Sequence, residues 1–159
     1  MSEIVFDDID RAIINLLQSN ARLSAVDIAS QLDDINPRMV SYRIEKLAQA
    51  GIISLTSVIN DKALSFPIQA YVFLKCESAQ ILYVVRQLTQ FVMVTGASVV
   101  TGDQDIIVSV VARTMEDLIK YLSKEVQHLL GVHQTQTHIV LDVYKNIYRW
   151  KIPEGVKAL

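Results

Sequence analysis

The chain has few cysteines, no long apolar runs and little excess charge, and each shortage argues against a class of protein. Cys76 is the single cysteine among 159 residues, so neither an intramolecular disulfide nor a site built on paired cysteines can form. No apolar run reaches the roughly 18 residues of a membrane span, and the N-terminus lacks the basic and apolar regions of a signal peptide. We therefore expect a cytoplasmic protein with no membrane partner.

The charge balance does not indicate a nucleic-acid partner. The formal net charge is −2, and the first 60 residues hold five basic and eight acidic side chains. Only residues 36–50 are locally basic, with three bases and one acid. Any DNA binding must therefore depend on local charge, because strong non-specific binding requires many phosphate contacts.

The sequence carries no recognisable catalytic or metal motif. It has no glycine-rich phosphate loop and no nucleophile elbow. His133 and His138 lie an odd number of residues apart on one predicted strand, so they leave it on opposite faces. His128 lies on a predicted helix without a carboxylate at ligand spacing. We expect neither an enzyme nor a protein with a metal or other cofactor.

Residues 36–50 have the pattern of a well-bounded amphipathic helix. Asn36 is a good N-cap, Pro37 suits the first helical position and Gly51 suits a left-handed stop. One narrow stripe is apolar and is formed by Val40, Ile44 and Leu47. The opposite, polar face could simply be solvated, or it could enter the major groove of DNA.

Two more helices precede this one. Residues 7–19 and 24–32 have apolar helical periodicity, and each begins with a capping-box pattern, Asp7 with Asp10 and Ser24 with Asp27. Three helices with a short turn before the last are typical of a helix-turn-helix domain. We assign this domain to residues 1–60, in which residues 52–59 are β-like and could form a wing or linker strand.

The second half predicts an α+β domain with the order βαββαβ, which is the ferredoxin-like motif. The expected strands are 68–76, 92–101, 106–112 and 134–145, with helices beginning at Ser78 and Thr114. The predicted inner faces of these helices are Ile81, Leu82, Val85 and Leu88, and Leu118, Leu122, Val126 and Leu129. The domain would span residues 67–145, after a linker at 61–66 and before a tail at 146–159.

Four segments, in this order and spacing, resemble the Lrp/AsnC family of leucine-responsive (feast/famine) transcription regulators. They are residues 7–14, the stretch 43–53, the hairpin 101–105 and residues 130–137. The resemblance implies an N-terminal DNA-binding domain and a C-terminal ferredoxin-like domain that dimerises and often binds amino acids. The turn at residues 33–37 differs from the family pattern, since it is one residue longer and lacks the usual glycine.

For DNA, we expect base contacts near the start of the third helix and phosphate contacts further along it. Arg38, Ser41 and Tyr42 lie in the first turns, which usually enter the groove. Arg43 and Lys46 follow and are better placed for phosphates, which fix position without carrying sequence information.

For an effector, the resemblance indicates the hairpin and the start of the last strand. The candidate residues are Thr101, Gly102, Asp103, Gln104, Asp105, Thr135 and Thr137. Backbone N–H groups near a glycine can bind a carboxylate, and an aspartate can accept from an ammonium group. The same hairpin could also be plain turn chemistry. Gln134 and Gln136 must face the other way from the threonines, and we favour the threonine pair.

The predicted function is a transcription regulator that binds a pseudo-palindromic operator in double-stranded DNA as a homodimer, tetramer or octamer. An amino acid could modulate it. The alternative is a metabolite-binding oligomer with little or no specific DNA binding, which the acidic N-terminal domain keeps open.

Overall fold

A computed structural model describes residues 6–145 and 150–153 of the chain. The chain divides into two compact units, of which the first contains residues 1–58 and 144–159 and the second contains residues 59–143. None of the helices in the described ranges combines the length and apolar character that a bilayer span requires.

The described residues of unit 1 form three helices, each starting at the N-cap that the sequence predicts. They are α1 (Asp8–Ser19), α2 (Ala25–Ala29) and α3 (Pro37–Gln49). The Asp7 side chain accepts a hydrogen bond from the Asp10 backbone at 2.9 Å, and the Asp10 side chain accepts one from the Asp7 backbone at 3.2 Å. The two bonds together form the capping box. Helix α2 has the same reciprocal box and is shorter than predicted. These caps fix where each helix begins.

The core of unit 1 is made by the apolar stripes of the three helices. Its buried members are Ile13, Leu17, Ile28 and Val40. Helix α3 ends in a left-handed Gly51, at φ +71°, and the Ile52 backbone donates to the Leu47 carbonyl at 2.9 Å. This Schellman-type ending confirms the predicted stop of α3. Val40 packs the apolar side of the helix into the core.

The β-like segment after α3 does not form a strand in this single chain. Leu55, Val58 and Ile59 remain 57%, 55% and 72% exposed, and no described strand pairs with them. A strand needs a partner for its backbone hydrogen bonds, so the residue pattern alone does not produce one.

Unit 2 has the predicted βαββαβ order and forms one antiparallel sheet. Its strands are β1 (Ile68–Cys76), β2 (Val94–Val99), β3 (Ile106–Ala112) and β4 (Val132–Ile139). Its helices are α4 (Ile81–Leu88) and α5 (Met115–Tyr121), and α5 continues into a π-helical turn, Leu122–Val126. The strand order β2-β3-β1-β4 confirms the ferredoxin-like fold.

Two details of the unit 2 core differ from the sequence prediction. Leu82 is 65% exposed, and Val84 is buried in its place. Ile81, Val84, Val85 and Leu88 form the i, i+3, i+4, i+7 stripe of α4, and Leu82 lies about 100° from Ile81, toward solvent. Tyr121, which was not predicted to be inside, is 4% exposed. Strand β4 is also shorter than predicted, since it ends at Ile139.

One face of the sheet is covered by α4 and α5, and the other carries a mixed apolar and polar surface. Tyr71 and Phe73 lie on the open face, beside Ile107 of β3 and His138 of β4. The Phe73 and His138 rings meet edge to face at 5.1 Å. Tyr71 is 45% exposed, so this face offers aromatic surface to a partner.

The turn into β4 permits no side chain at Gly131. Its φ is +93°, and a Cβ added there would overlap the side chain of Gln80. The Gly131 carbonyl also accepts a hydrogen bond from the Glu77 backbone at 2.8 Å. This hydrogen bond therefore links the turn before β4 to the segment that follows β1.

Candidate DNA-binding and effector-binding sites

Helix α3 presents its predicted polar face to solvent. Arg38 and Ser41 are exposed, and Tyr42 is 63% exposed. The Ser41 hydroxyl donates to the Pro37 carbonyl at 3.1 Å, which leaves its oxygen able to accept from an amino group on a base edge. Lys46 is half-buried, in the last turn of the helix. None of the first three side chains is packed beneath another described element of its unit.

Arg43 lies differently from the other candidates, because it is bound to α1. One of its guanidinium nitrogens, Nη1, donates to Asp7 Oδ1, Asp7 Oδ2 and Asp10 Oδ1, each at 2.8 Å. The Arg43 side chain is 21% exposed and that of Asp10 is 6% exposed. These contacts connect the helix that would read DNA to the first helix of the core.

The ionic network shifts the pKa values of two of its members. Burial alone would raise the pKa of Asp7, but the Asp10 backbone bond and the Arg43 guanidinium outweigh it and hold this pKa below its usual value. For Arg43, burial would lower the pKa, but the bonds from Asp10 and Asp7 outweigh it and raise the pKa. Both shifts favour the charged forms, so Asp7 and Arg43 are present as an ion pair near neutral pH.

The sequence shows all three residues but not that they meet. Asp7 and Asp10 are explained by the capping box alone, and Arg43 lies on the flank of the α3 stripe. The distance of 33 residues between Arg43 and Asp10 is bridged only when α1 and α3 pack together. The prediction that Arg43 contacts phosphate stays a prediction, and the structure adds a positioning role for it.

The turn between α2 and α3 contains a residue in the left-handed region. Asp34 has φ +58°, a conformation that costs little for glycine and more for other residues, although Asp tolerates it better than most. The turn lacks a glycine, and Asp34 occupies this conformation instead.

The hairpin between β2 and β3 exposes its tip and buries its base. Thr101, Gly102 and Asp103 are exposed. Asp105 is half-buried, and its Oδ2 accepts a hydrogen bond from the Cys76 backbone at 2.8 Å. Its own backbone donates to the Leu74 carbonyl at 2.9 Å. The Asp105 carboxylate therefore holds the hairpin against the end of β1.

The threonine candidates lie on β4, which β1 separates from the hairpin strand β3. Thr135 pairs with Leu74 and Thr137 with Val72, so both threonines face the side of the sheet on which those two residues are buried. Thr135 on β4 lies two strand spacings, about 10 Å, from β3, the nearer of the two hairpin strands. The Gln104 Oε1 atom is buried and has no hydrogen-bond partner among the described residues.

Two family models match the two parts of the chain. A winged helix-turn-helix DNA-binding model matches residues 6–54, and a model for the Lrp/AsnC ligand-binding domain matches residues 69–150. A helix-turn-helix followed by this ligand-binding domain defines a two-domain transcription regulator that binds DNA.

Relatives and solved structures agree with this class. The chain is 30% identical to the HTH-type transcriptional regulator FL11 of Pyrococcus furiosus, over 89% of this chain and 93% of the relative. It is 33% identical to an uncharacterised HTH-type transcriptional regulator of the same organism, over 90% of this chain and 96% of the relative.

Among solved structures, Escherichia coli AsnC superposes with a TM-score of 0.83 at 28% identity, over 91% of this chain and 99% of that chain. A Neisseria meningitidis transcriptional regulator in complex with L-Met has a TM-score of 0.80 at 20% identity, covering 94% and 97% of the two chains. The chain belongs to the Lrp/AsnC family of transcription regulators. The resemblance seen in the sequence and the predicted fold class are thereby confirmed.

Proposed function

We propose that α3 reads an operator through Arg38, Ser41 and Tyr42, while Lys46 contacts phosphate. The observation that carries this proposal is the exposure of these three reading side chains on a capped helix whose other side is buried. Arg38 can pair bidentately with guanine, and Tyr42 can donate a hydrogen bond or pack on a thymine methyl. Arg43 positions the helix through its ion pairs with α1.

We further propose that the working species is a homodimer or a larger assembly that reads a pseudo-palindrome. One α3 carries few cations, so a single copy would gain little from phosphate contacts. Two copies of α3 about one helical turn apart would double them and would match a symmetric operator. The open sheet face, with Tyr71 and Phe73, is the surface we propose for pairing.

An amino acid is the proposed effector, bound at the hairpin tip. The backbone around Gly102 would bind its carboxylate and Asp103 would accept from its ammonium group, while Asp105 supports the loop. Gln104, whose Oε1 atom is buried without a described partner, and the threonine pair Thr135 and Thr137 complete the candidate set. The L-Met complex of the Neisseria meningitidis regulator supports this ligand class. The effector acts only if it prefers one assembly over another.

The proposal is tested by fluorescence-anisotropy titration of the full chain with fragments from upstream of its own gene, at two salt concentrations. We expect one fragment to bind at least about 1000-fold more tightly than random DNA of the same length, with affinity falling as salt rises. Equal affinity for all fragments would instead favour a metabolite-binding oligomer without useful DNA specificity. The excess of acids in the first 60 residues is the observation that favours this second candidate.

A transcription regulator must reach chromosomal DNA, so we keep the prediction that the protein is cytoplasmic. We also keep the prediction that the chain is not an enzyme, which is supported by its similarity to transcription regulators over most of its length.

A further inference from the structure

A cavity of about 340 Å³ opens in unit 2 near the end of β3, away from the hairpin. Its apolar wall is formed by Phe66, Phe91, Met93 and Tyr121, and two cations, Arg113 and Lys120, also line it. The hairpin precedes β3 and the cavity follows it. Seven strand residues separate the two places by about 20 Å. The cavity is therefore distinct from the proposed effector site.

Tyr121 lines the cavity, and its buried hydroxyl is a donor without an acceptor among the described residues. The residue is 4% exposed, its ring meets Phe91 edge to face at 5.3 Å, and no described atom hydrogen-bonds its oxygen. Burial, and the nearby Glu125 carboxylate, raise the pKa of Tyr121 to about 12, so the phenol is protonated. A buried polar group that lacks a partner is uncommon and costs free energy.

The two cations lack a described carboxylate partner. The Arg113 guanidinium lies 5.0 Å from the centre of the Phe66 ring. In the part of the chain that the structure describes, no carboxylate oxygen lies within 4.0 Å of Arg113 or Lys120. An arginine stacked on an aromatic ring keeps its donors available for a planar anion.

The helix that supplies Tyr121 is irregular at this point. The α-helix changes to the π-helical turn Leu122–Val126 directly after it, and such insertions are found frequently at functional sites.

We propose that this cavity binds a small carboxylic acid with an aromatic or branched apolar body. The carboxylate pairs with Arg113 and Lys120, and a ligand oxygen accepts a hydrogen bond from the Tyr121 hydroxyl. The apolar body packs against Phe91 and Met93. Two sources share this chemistry, namely α-amino acids and their 2-oxo counterparts. Asp117 and Glu125 also line the cavity and would select the acid that carries an ammonium group.

The test is calorimetric titration of the full chain with three probes: 3-phenylpropionate, phenylpyruvate and L-phenylalanine. Arg113→Gln should weaken binding about tenfold or more, because a charge-assisted bond is lost. Tyr121→Phe keeps the ring and should weaken it by about three- to tenfold. The melting temperature of the free Tyr121→Phe protein should not fall, because the lost hydroxyl had no partner. Lys124→Gln, a charge-matched change in the same helical segment outside the lining, should bind as the parent does.

The probes and a second control separate the outcomes. Binding of all three acids supports a site for carboxylates in general, and binding of phenylalanine alone supports selection of the ammonium group. Asp103→Asn, at the hairpin tip, should leave the binding of 3-phenylpropionate unchanged, because this probe has no ammonium group for Asp103 to bind. The proposal is overturned if no probe binds at millimolar concentration, or if Asp103→Asn abolishes 3-phenylpropionate binding while Arg113→Gln and Tyr121→Phe do not.

Discussion

Replacing Arg43 with methionine tests whether the ion pairs position α3. The change removes the guanidinium but keeps an unbranched apolar side chain that reaches the position of Nε, and it leaves both α1 capping bonds in place. The Asp10 side chain is 6% exposed, so its carboxylate would lose a charge-assisted bond worth about 1.5–3 kcal/mol. The Asp7 side chain is 40% exposed and adds less than about 1 kcal/mol. We expect a loss of about 2–3 kcal/mol, somewhat below the about 3–5 kcal/mol of a broken, fully buried pair.

For a unit of this size, such a loss lowers the melting temperature by about 10–20 °C. The single tryptophan, Trp150, reports on unit 1, where its carbonyl accepts a hydrogen bond from Gln18 at 2.9 Å. Its fluorescence, followed together with far-ultraviolet circular dichroism, measures the transition. Arg38→Met, an exposed change on the same helix, is the matched control and should melt as the parent does. If Arg43→Met also melts within about 2 °C of the parent, the reasoning is refuted.

Two further measurements separate charge pairing from other effects of the same substitution. Adding Asp10→Asn to Arg43→Met should recover part of the loss, because a neutral amide needs no cation. In DNA titrations below both melting temperatures, a positioning role lowers specific affinity without changing the salt slope. A phosphate contact would instead reduce that slope by about 1 per lost cation.

Four other predictions follow from single features. Because the pKa of Asp7 is lowered in the folded state, its contribution to stability is present above its unfolded pKa of about 3.9 and is lost as pH falls through the folded value; acid titration of unit 1 should show this, with a weaker dependence in Arg43→Met. Asp34→Gly should stabilise unit 1 by about 0.5–1 kcal/mol, since glycine adopts its left-handed conformation readily, and thermal melting that shows no gain would contradict this. Gly131→Ala should cost unit 2 at least about 2 kcal/mol through overlap and strain, whereas Gly96→Ala, which meets only ordinary contacts, should be nearly neutral in urea unfolding. Arg38→Ala should cost about 1–3 kcal/mol of binding free energy and relax one operator position, while Lys46→Ala should weaken binding to all DNA alike. A gel-shift series with the reverse pattern would reassign the two.

The element order of both units could be predicted from the sequence because caps and periodicity are local signals. Asn36 and Gly51 enclose a helix whatever surrounds it, and both ends of α3 lie where the pattern indicates. Alternation along residues 68–76 likewise predicts β1. Residues 52–59, which could have formed a wing or linker strand, stay unpaired in this single chain, because a strand depends on a partner that local pattern does not supply.

The side-chain roles were less accessible to the same reasoning. Leu82 was placed inward because it lies next to the apolar stripe of α4, but the i, i+3, i+4, i+7 spacing from Ile81 selects Val84 and Val85 instead. The Arg43 network, and the Asp105 bond to the Cys76 backbone, join residues far apart in sequence. They follow from packing, and no spacing rule indicates them.

The ion pairs of Arg43 also bear on how the regulator searches the chromosome. With that guanidinium bound to α1, each α3 keeps two cations, Arg38 and Lys46, for the duplex. In the symmetric pair that we propose, these four α3 cations would give a dependence of log affinity on log salt of only about −4. We expect short residence times on non-specific DNA and rapid exchange between sites. Occupancy of the operator would then depend more on base recognition than on salt concentration.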